Sequence, residues 1–257
     1  MITSFVISAG LYAVLLYVFT LLPLTIIPGV TSARPANAIP PVMSLLFGPA
    51  AAWGTAVGNL IGFDILGGNL TIGSIGGFIG NLFLGYVPYK IWHRVFKEEP
   101  HLRTLSSFAK FELVIIVHAA AVALIIPLWV EALGFLPFTF LAFIIFFNEL
   151  LAAGILGPII MVLIFNRVKR AGYLWTDSMK EYEFVPKEVK SSHRLGASLL
   201  SIGAVVGLVV TIAVGLGLGQ QLLSFTPAFG LTSAGLSILA TGGVFLVIFF
   251  IGVALLR

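Results

Sequence analysis

Apolar runs recur along the whole chain, and about 20 such residues suffice for a helix to cross a bilayer. Only 9% of the 257 residues are charged and 59% are hydrophobic, whereas a soluble domain carries about 25% charged residues. In lipid a helix satisfies its own backbone. The runs therefore specify an all-α, polytopic membrane protein. Eight segments qualify, some short or broken, at about residues 3–27, 37–47, 50–66, 72–96, 108–133, 138–168, 195–218 and 232–256.

Lys and Arg orient these segments, because basic residues concentrate in cytoplasmic loops. With the N-terminus inside the cell, Lys90, Arg94, Lys97, Arg103 and Lys110 follow the fourth segment on the cytoplasmic side. Arg167, Lys169, Arg170, Lys180, Lys187, Lys190 and Arg194 follow the sixth, and Arg257 follows the eighth. Arg34 alone then lies outside. The expectation is a multi-pass cell-membrane protein with both termini cytoplasmic. The same rule accounts for the net charge of +4 without a nucleic-acid partner. The first segment lacks a basic leader and a clear cleavage site, so it reads as a retained helix. No cysteine is present, which excludes disulfides, thiolate metal sites and thiol nucleophiles.

Residues 31–68 read TSARPANAIPPVMSLLFGPAAAWGTAVGNLIGFDILGG. Such a density of Gly, Pro, Asn and charge between apolar runs fits a folded membrane site, because polar groups at membrane depth need protein or a water cavity around them. Arg34 precedes Pro35, and Asn37 is placed to cap the second helix. Arg34 reads as an anchor for a ligand, as a partner for Glu149 or Asp64, or as an interfacial arginine on lipid headgroups. Glu149, beside Asn148 in the sixth segment, reads as a ligand contact, a proton site or a hydrogen bond to a neighbouring helix. His118 and Asn81 carry the same choice between a solute contact and polar glue between helices, as does Asn59. Asp64, near an outer helix end, fits simple solvation. Tyr86 and Trp129 are candidate stacking surfaces. Ala9 and Ala13 make a small-residue pair on the first helix, as Gly54 and Gly58 do on the third. No GxxxxGK[ST], HExxH or GxSxG occurs, so an importer role requires a partner ATPase or an ion gradient.

A helix–break–helix at PPVMSLLFGPAAAWGTAVGNLIG, a glycine-rich GGNLTIGSIGGFIGN and the RPANAIPPV run together resemble the substrate-binding S-component of energy-coupling factor (ECF) importers. The queuosine-precursor (QueT-like) type is the nearest. The resemblance covers residues 1 to about 172. It implies a six-helix substrate-binding bundle; the polar stretch at 173–194 reads as a cytoplasmic linker, and the apolar two-helix extension at 195–257 has no place in that unit. The resemblance implies a vitamin-like or nucleobase-like small-molecule substrate, no cofactor and no metal, since a His-rich N-terminal set is absent. The partners it implies are a transmembrane coupling protein with ATPase subunits, besides membrane lipid. Ala9 and Ala13 become docking residues. Arg34 and Asn37 fall in a lid, and Asn81, Asn148 and Glu149 line the pocket, with Tyr86 and His118 as further contacts. Phe63 departs from the pattern by separating Gly62 from Asp64. Two alternatives stay open: a lipid-modifying membrane enzyme using His118 and Glu149 as acid and base, and an assembly subunit with no ligand.

Overall fold

The computed structural model describes residues 1–22, 24–27, 31–96, 98–178, 189–218 and 233–257. It is a helical bundle. α1 (Ile2–Leu21) is followed by a small antiparallel hairpin, β1 (Leu24–Ile27) and β2 (Thr31–Ala33). The first helix is therefore shorter than its apolar run. A 3-10 turn at Pro35–Ala38 leads into α2 (Ile39–Phe47), and α3 (Pro49–Asn59) runs on through a π-helical turn at Leu60–Ile65. α4 (Gly73–Ile91) and α5 (Leu105–Ala132) follow. α6 (Phe138–Leu151) and α7 (Gly157–Arg170) form one rod through a second kind of join, a π turn at Ala152–Leu156. After the short α8 (Trp175–Ser178), a rod of α9 (Ser191–Ser201) and α10 (Gly207–Gly215) pairs with α11 (Ser233–Leu255). Much of the expected linker, residues 179–188, lies outside the described residues, as does the connection at 219–232.

Five helices among the described residues are long and apolar enough to cross a membrane: Ile2–Leu21, Leu105–Ala132, Phe138–Asp177, Ser191–Gly215 and Gly235–Leu255. The chain is a multi-pass membrane protein. α2 and α3, with 9 and 11 residues, are each too short to span at 1.5 Å per residue. They meet at Gly48, whose φ of 72° suits glycine. A Cβ there would also sit 2.5 Å from Trp175 Cγ, so α8 closes over the break.

α1 lies parallel to α3. Gly54 and Gly58 sit beside the carbonyls of Phe5 and Ala9, where an added Cβ would come within 2.5 and 2.7 Å of the oxygens. Gly62 continues the row against Ala13. Glycine at every fourth position lets two backbones touch along one helix face. Ala9 and Ala13 are consequently buried, at 7% and 6% exposure. As the helices stand, the pair packs inside the protein. The outward face of α1 carries Val6, Ile7, Leu11 and Val14 instead.

The last two helices cover the bundle on another side. Gly207 and Gly242 receive Leu124 and Leu128 of α5, Gly215 receives Thr139 of α6, and Phe249 and Phe250 pack edge-on against Phe83 of α4 at 5.2 and 5.5 Å. The pair holds itself together the same way, with Gly196 against Gly252 and Gly203 against Phe249.

Basic residues gather at one end of the bundle. There Lys110 at the start of α5 pairs with Glu98 at 2.8 Å, and Lys169 at the end of α7 pairs with Glu99 at 2.5 Å. Lys90 near the end of α4 reaches the carbonyl of Leu256 beyond α11, at 3.1 Å. Arg34 lies at the opposite end, beside the mouth of a cavity.

Candidate functional site

A cavity of about 730 Å³ opens between α1, α3, α4, α5 and α6. Helical spacing builds each wall. On α4, Gly73, Gly77 and Asn81 follow one another by one turn; the two glycines make room and the amide faces the space. On α1 the lining residues are Tyr12, Leu16, Phe19 and Thr20. On α6 the row ends in Ile144, Ile145, Asn148 and Glu149.

Glu149 is 4% exposed. Its Oε1 accepts a hydrogen bond from Asn37 Nδ2 at 2.5 Å, while Oε2 is buried without a partner among the described residues. Asn37 thus braces α6 from the 3-10 turn. It does not cap α2, whose N-cap is Ala38. The Tyr12 hydroxyl lies 3.0 Å from Asn37 Oδ1 and 2.8 Å from Asn81 Oδ1. It has a single proton, so one amide oxygen at a time goes without it. Asn81 Nδ2 is spent on the Gly77 carbonyl at 2.8 Å.

The second polar group stands where α3 widens. Asp64 accepts from Ser74 Oγ at 2.7 Å and from Asn59 Nδ2 at 3.1 Å, and is 4% exposed. A π turn holds one residue more than the α-helical ladder. It lets Phe63 and Asp64 line the same cavity in spite of the departure at Phe63. The Arg34 guanidinium stacks 4.5 Å above the Phe63 ring. Phe19, Phe63, Phe135 and Phe140 supply flat apolar wall.

Of the residues singled out from sequence, Arg34, Asn37, Asn81, Asn148 and Glu149 share this lining. Tyr86 and His118 do not. Tyr86 faces Phe83, Tyr89 and Lys90 toward the basic end. Trp129 also lies outside the lining; it fills the notch over Gly76 and donates to the Ile72 carbonyl at 3.0 Å. His118 is fully buried, and its Nδ1 lies 3.2 Å from the Leu84 carbonyl. Pro88, four residues on, has no N–H to give that carbonyl, so the imidazole supplies the missing donor. His93 does the same for Leu45, at 3.0 Å, where Pro49 stands four residues on. Tyr12, Phe63 and Ser74 were not singled out as site residues, and Asn59 and Asp64 read equally well as glue or solvated groups. The signal for Tyr12 was its one-turn spacing from Leu16 and Thr20. Among the described residues no cluster of three or more His, Asp or Glu could hold a metal ion.

The sequence model of the QueT transporter family matches residues 2–166, the whole cavity-bearing region. The chain belongs to the QueT transporter family. Comparison with curated proteins found no match, nor did comparison with solved structures. Family membership makes this a membrane transporter protein, and it agrees with the S-component resemblance over the same stretch. The QueT region ends before the described part of the two-helix extension begins.

Proposed function

We propose that the protein is the substrate-binding subunit of an ECF-type importer, which captures a small nucleobase-like or vitamin-like solute at the outer end of the bundle. The unpartnered, buried Oε2 of Glu149 in the cavity wall carries this reading. A buried acceptor left alone costs about 1–3 kcal/mol, and a solute N–H would recover that. The surplus of acceptors around it, with Tyr12 able to serve only one of two amide oxygens, favours a ring edge rich in N–H donors. The phenylalanine walls suit a flat ring. Arg34, on the segment after the hairpin, is placed to close over the solute from Phe63.

In this reading the basic end is cytoplasmic and both termini lie there. A coupling protein and ATPases complete the importer. The extension packs on α4, α5 and α6 and leaves the apolar outward face of α1 open, so α1 can meet a partner through Ile7, Leu11 and Val14, with Ala9 and Ala13 packed behind them. The enzyme alternative loses its support, because His118 lies outside the cavity that holds Glu149.

The test is native mass spectrometry of gently purified protein, followed by identification of any released small molecule. A co-purified heterocycle is expected. Glu149→Gln replaces an oxygen that can accept from the solute with an amide N–H that cannot, at about 1–3 kcal/mol, so affinity should fall roughly ten- to a hundredfold with thermal stability kept. An unchanged affinity would remove Glu149 from the site, and recovery of lipid alone from both proteins would overturn the reading.

A further inference from the structure

The basic end holds a second assembly, which the solute site does not use. Lys90 is only 6% exposed. Its Nζ sits 5.2 Å from the Tyr86 ring centre and 5.6 Å from that of Tyr89, and gives one of its three N–H groups to the Leu256 carbonyl. Arg94 follows Lys90 by one turn, and Arg257 follows Leu256. One helical turn and the Lys90–Leu256 hydrogen bond therefore bring Arg94 and Arg257 to the same end of the bundle as Lys90 and Tyr86. The three like charges repel one another. Among the described residues, the acids of the α4–α5 loop are taken: Glu98 holds Lys110 and Glu99 holds Lys169. Neither described ion pair reaches Arg94 or Arg257.

A buried ammonium, two guanidinium groups and two aromatic rings between transmembrane helices are the chemistry that holds a phosphate group at a membrane surface. We propose that Lys90, Arg94 and Arg257 form a site for the phosphate of an anionic phospholipid headgroup, seated between the ends of α4 and α11. The lipid bridges the QueT-family region and the two-helix extension. It neutralises the repulsion and adds to the Lys90–Leu256 hydrogen bond that already joins them. Tyr86 forms the side wall, which gives that residue a place away from the solute cavity.

The experiment uses the full chain in nanodiscs of phosphatidylcholine, with and without phosphatidylglycerol, read by thermal unfolding and by native mass spectrometry of retained lipid. Phosphatidylglycerol should raise the melting temperature and remain bound. The double variant R94Q/R257Q removes two exposed or half-exposed charges and leaves buried Lys90 in place. It should retain phosphatidylglycerol about tenfold less, at roughly the weight of two surface cations on an anionic membrane, with solute affinity unchanged. R94K/R257K should restore retention. Equal retention by R94Q/R257Q and the parent protein would overturn the site. The same temperature shift from inorganic phosphate or glycerol phosphate would overturn the lipid assignment in favour of a free anion.

Discussion

The cavity-bearing region and the two-helix extension are equally apolar to the eye, yet they treat polar groups and glycines in opposite ways. In the first, Tyr12, Asn37, Asn81 and Glu149 come from four different elements and meet at one point. In the second, Thr211 turns back on its own helix and donates to the Gly207 carbonyl at 2.7 Å. Several glycines of the extension serve close packing, as Gly196 does against Gly252 and Gly203 against Phe249. In α4 the same residue type does two jobs: Gly76 and Gly80 admit Trp129 and Ile126, while Gly73 and Gly77 leave the cavity open. Around Tyr12, Asn37, Asn81 and Glu149 the polar side chains that reach between elements line a cavity; at Thr211, which bonds within its own helix, the helices close up.

The largest effect should come from filling a contact on which the cavity-bearing region depends. Gly58→Leu puts a side chain where the Ala9 carbonyl now lies 2.7 Å from the missing Cβ. Overpacking at a backbone contact should cost about 3 kcal/mol or more. It should separate α1 from α3, and so move Tyr12 away from Asn81. Both melting temperature and solute binding should collapse together, measured on detergent-purified protein. Gly10→Leu is the control, since nothing lies within 4 Å of a Cβ there. Equal losses from the two variants would show that the α1–α3 contact does not hold the cavity.

A smaller effect distinguishes a polar residue that binds from one that repairs. His118→Ala should lower stability by about 1–3 kcal/mol, because the Leu84 carbonyl loses its donor, with solute affinity intact. Pro88→Ala restores a backbone N–H four residues after Leu84. In that background the His118→Ala loss should shrink by about 1 kcal/mol, read as the coupling of a double-mutant cycle from thermal unfolding. Additive losses would mean that His118 does something other than replace the missing helical bond.

Much of this contrast was readable in the sequence. Isolated Asn and Glu residues inside apolar runs, and one arginine on the wrong side of the charge pattern, pointed to Arg34, Asn37, Asn148 and Glu149, all of which line the cavity. The helical segments fell close to where they form, because apolar length marks the long ones and the Gly48–Pro49 break marks α2 and α3. Other features depend on rotation about a helix axis. Asn81 and Tyr86 lie five residues apart, about 140° round the helix, so α4 cannot bring both to one face. The carbonyl that His118 serves is 34 residues away in the chain. Its vacancy showed only through Pro88, a mark that sequence offers but that needs helix pairing to interpret. The Ala9–Ala13 pair is of the same kind: small residues announce a close contact, and the structure supplies Gly54, Gly58 and Gly62 as partners within the chain.

The smallest effect should lie in the extension. Thr211 is fully buried, and the buried hydroxyls of Tyr12 and Ser74 bond across elements. Its bond to Gly207 stays within one helix, and the valine side chain has nearly the same shape. The Gly207 carbonyl keeps its place in the helical ladder either way. Thr211→Val should therefore change stability by no more than about 0.5 kcal/mol and leave solute affinity untouched. A loss of several times that size on thermal unfolding would reveal a polar contact between the extension and the rest of the bundle. The two regions would then differ in degree, with the extension sharing the polar fastening that the cavity uses.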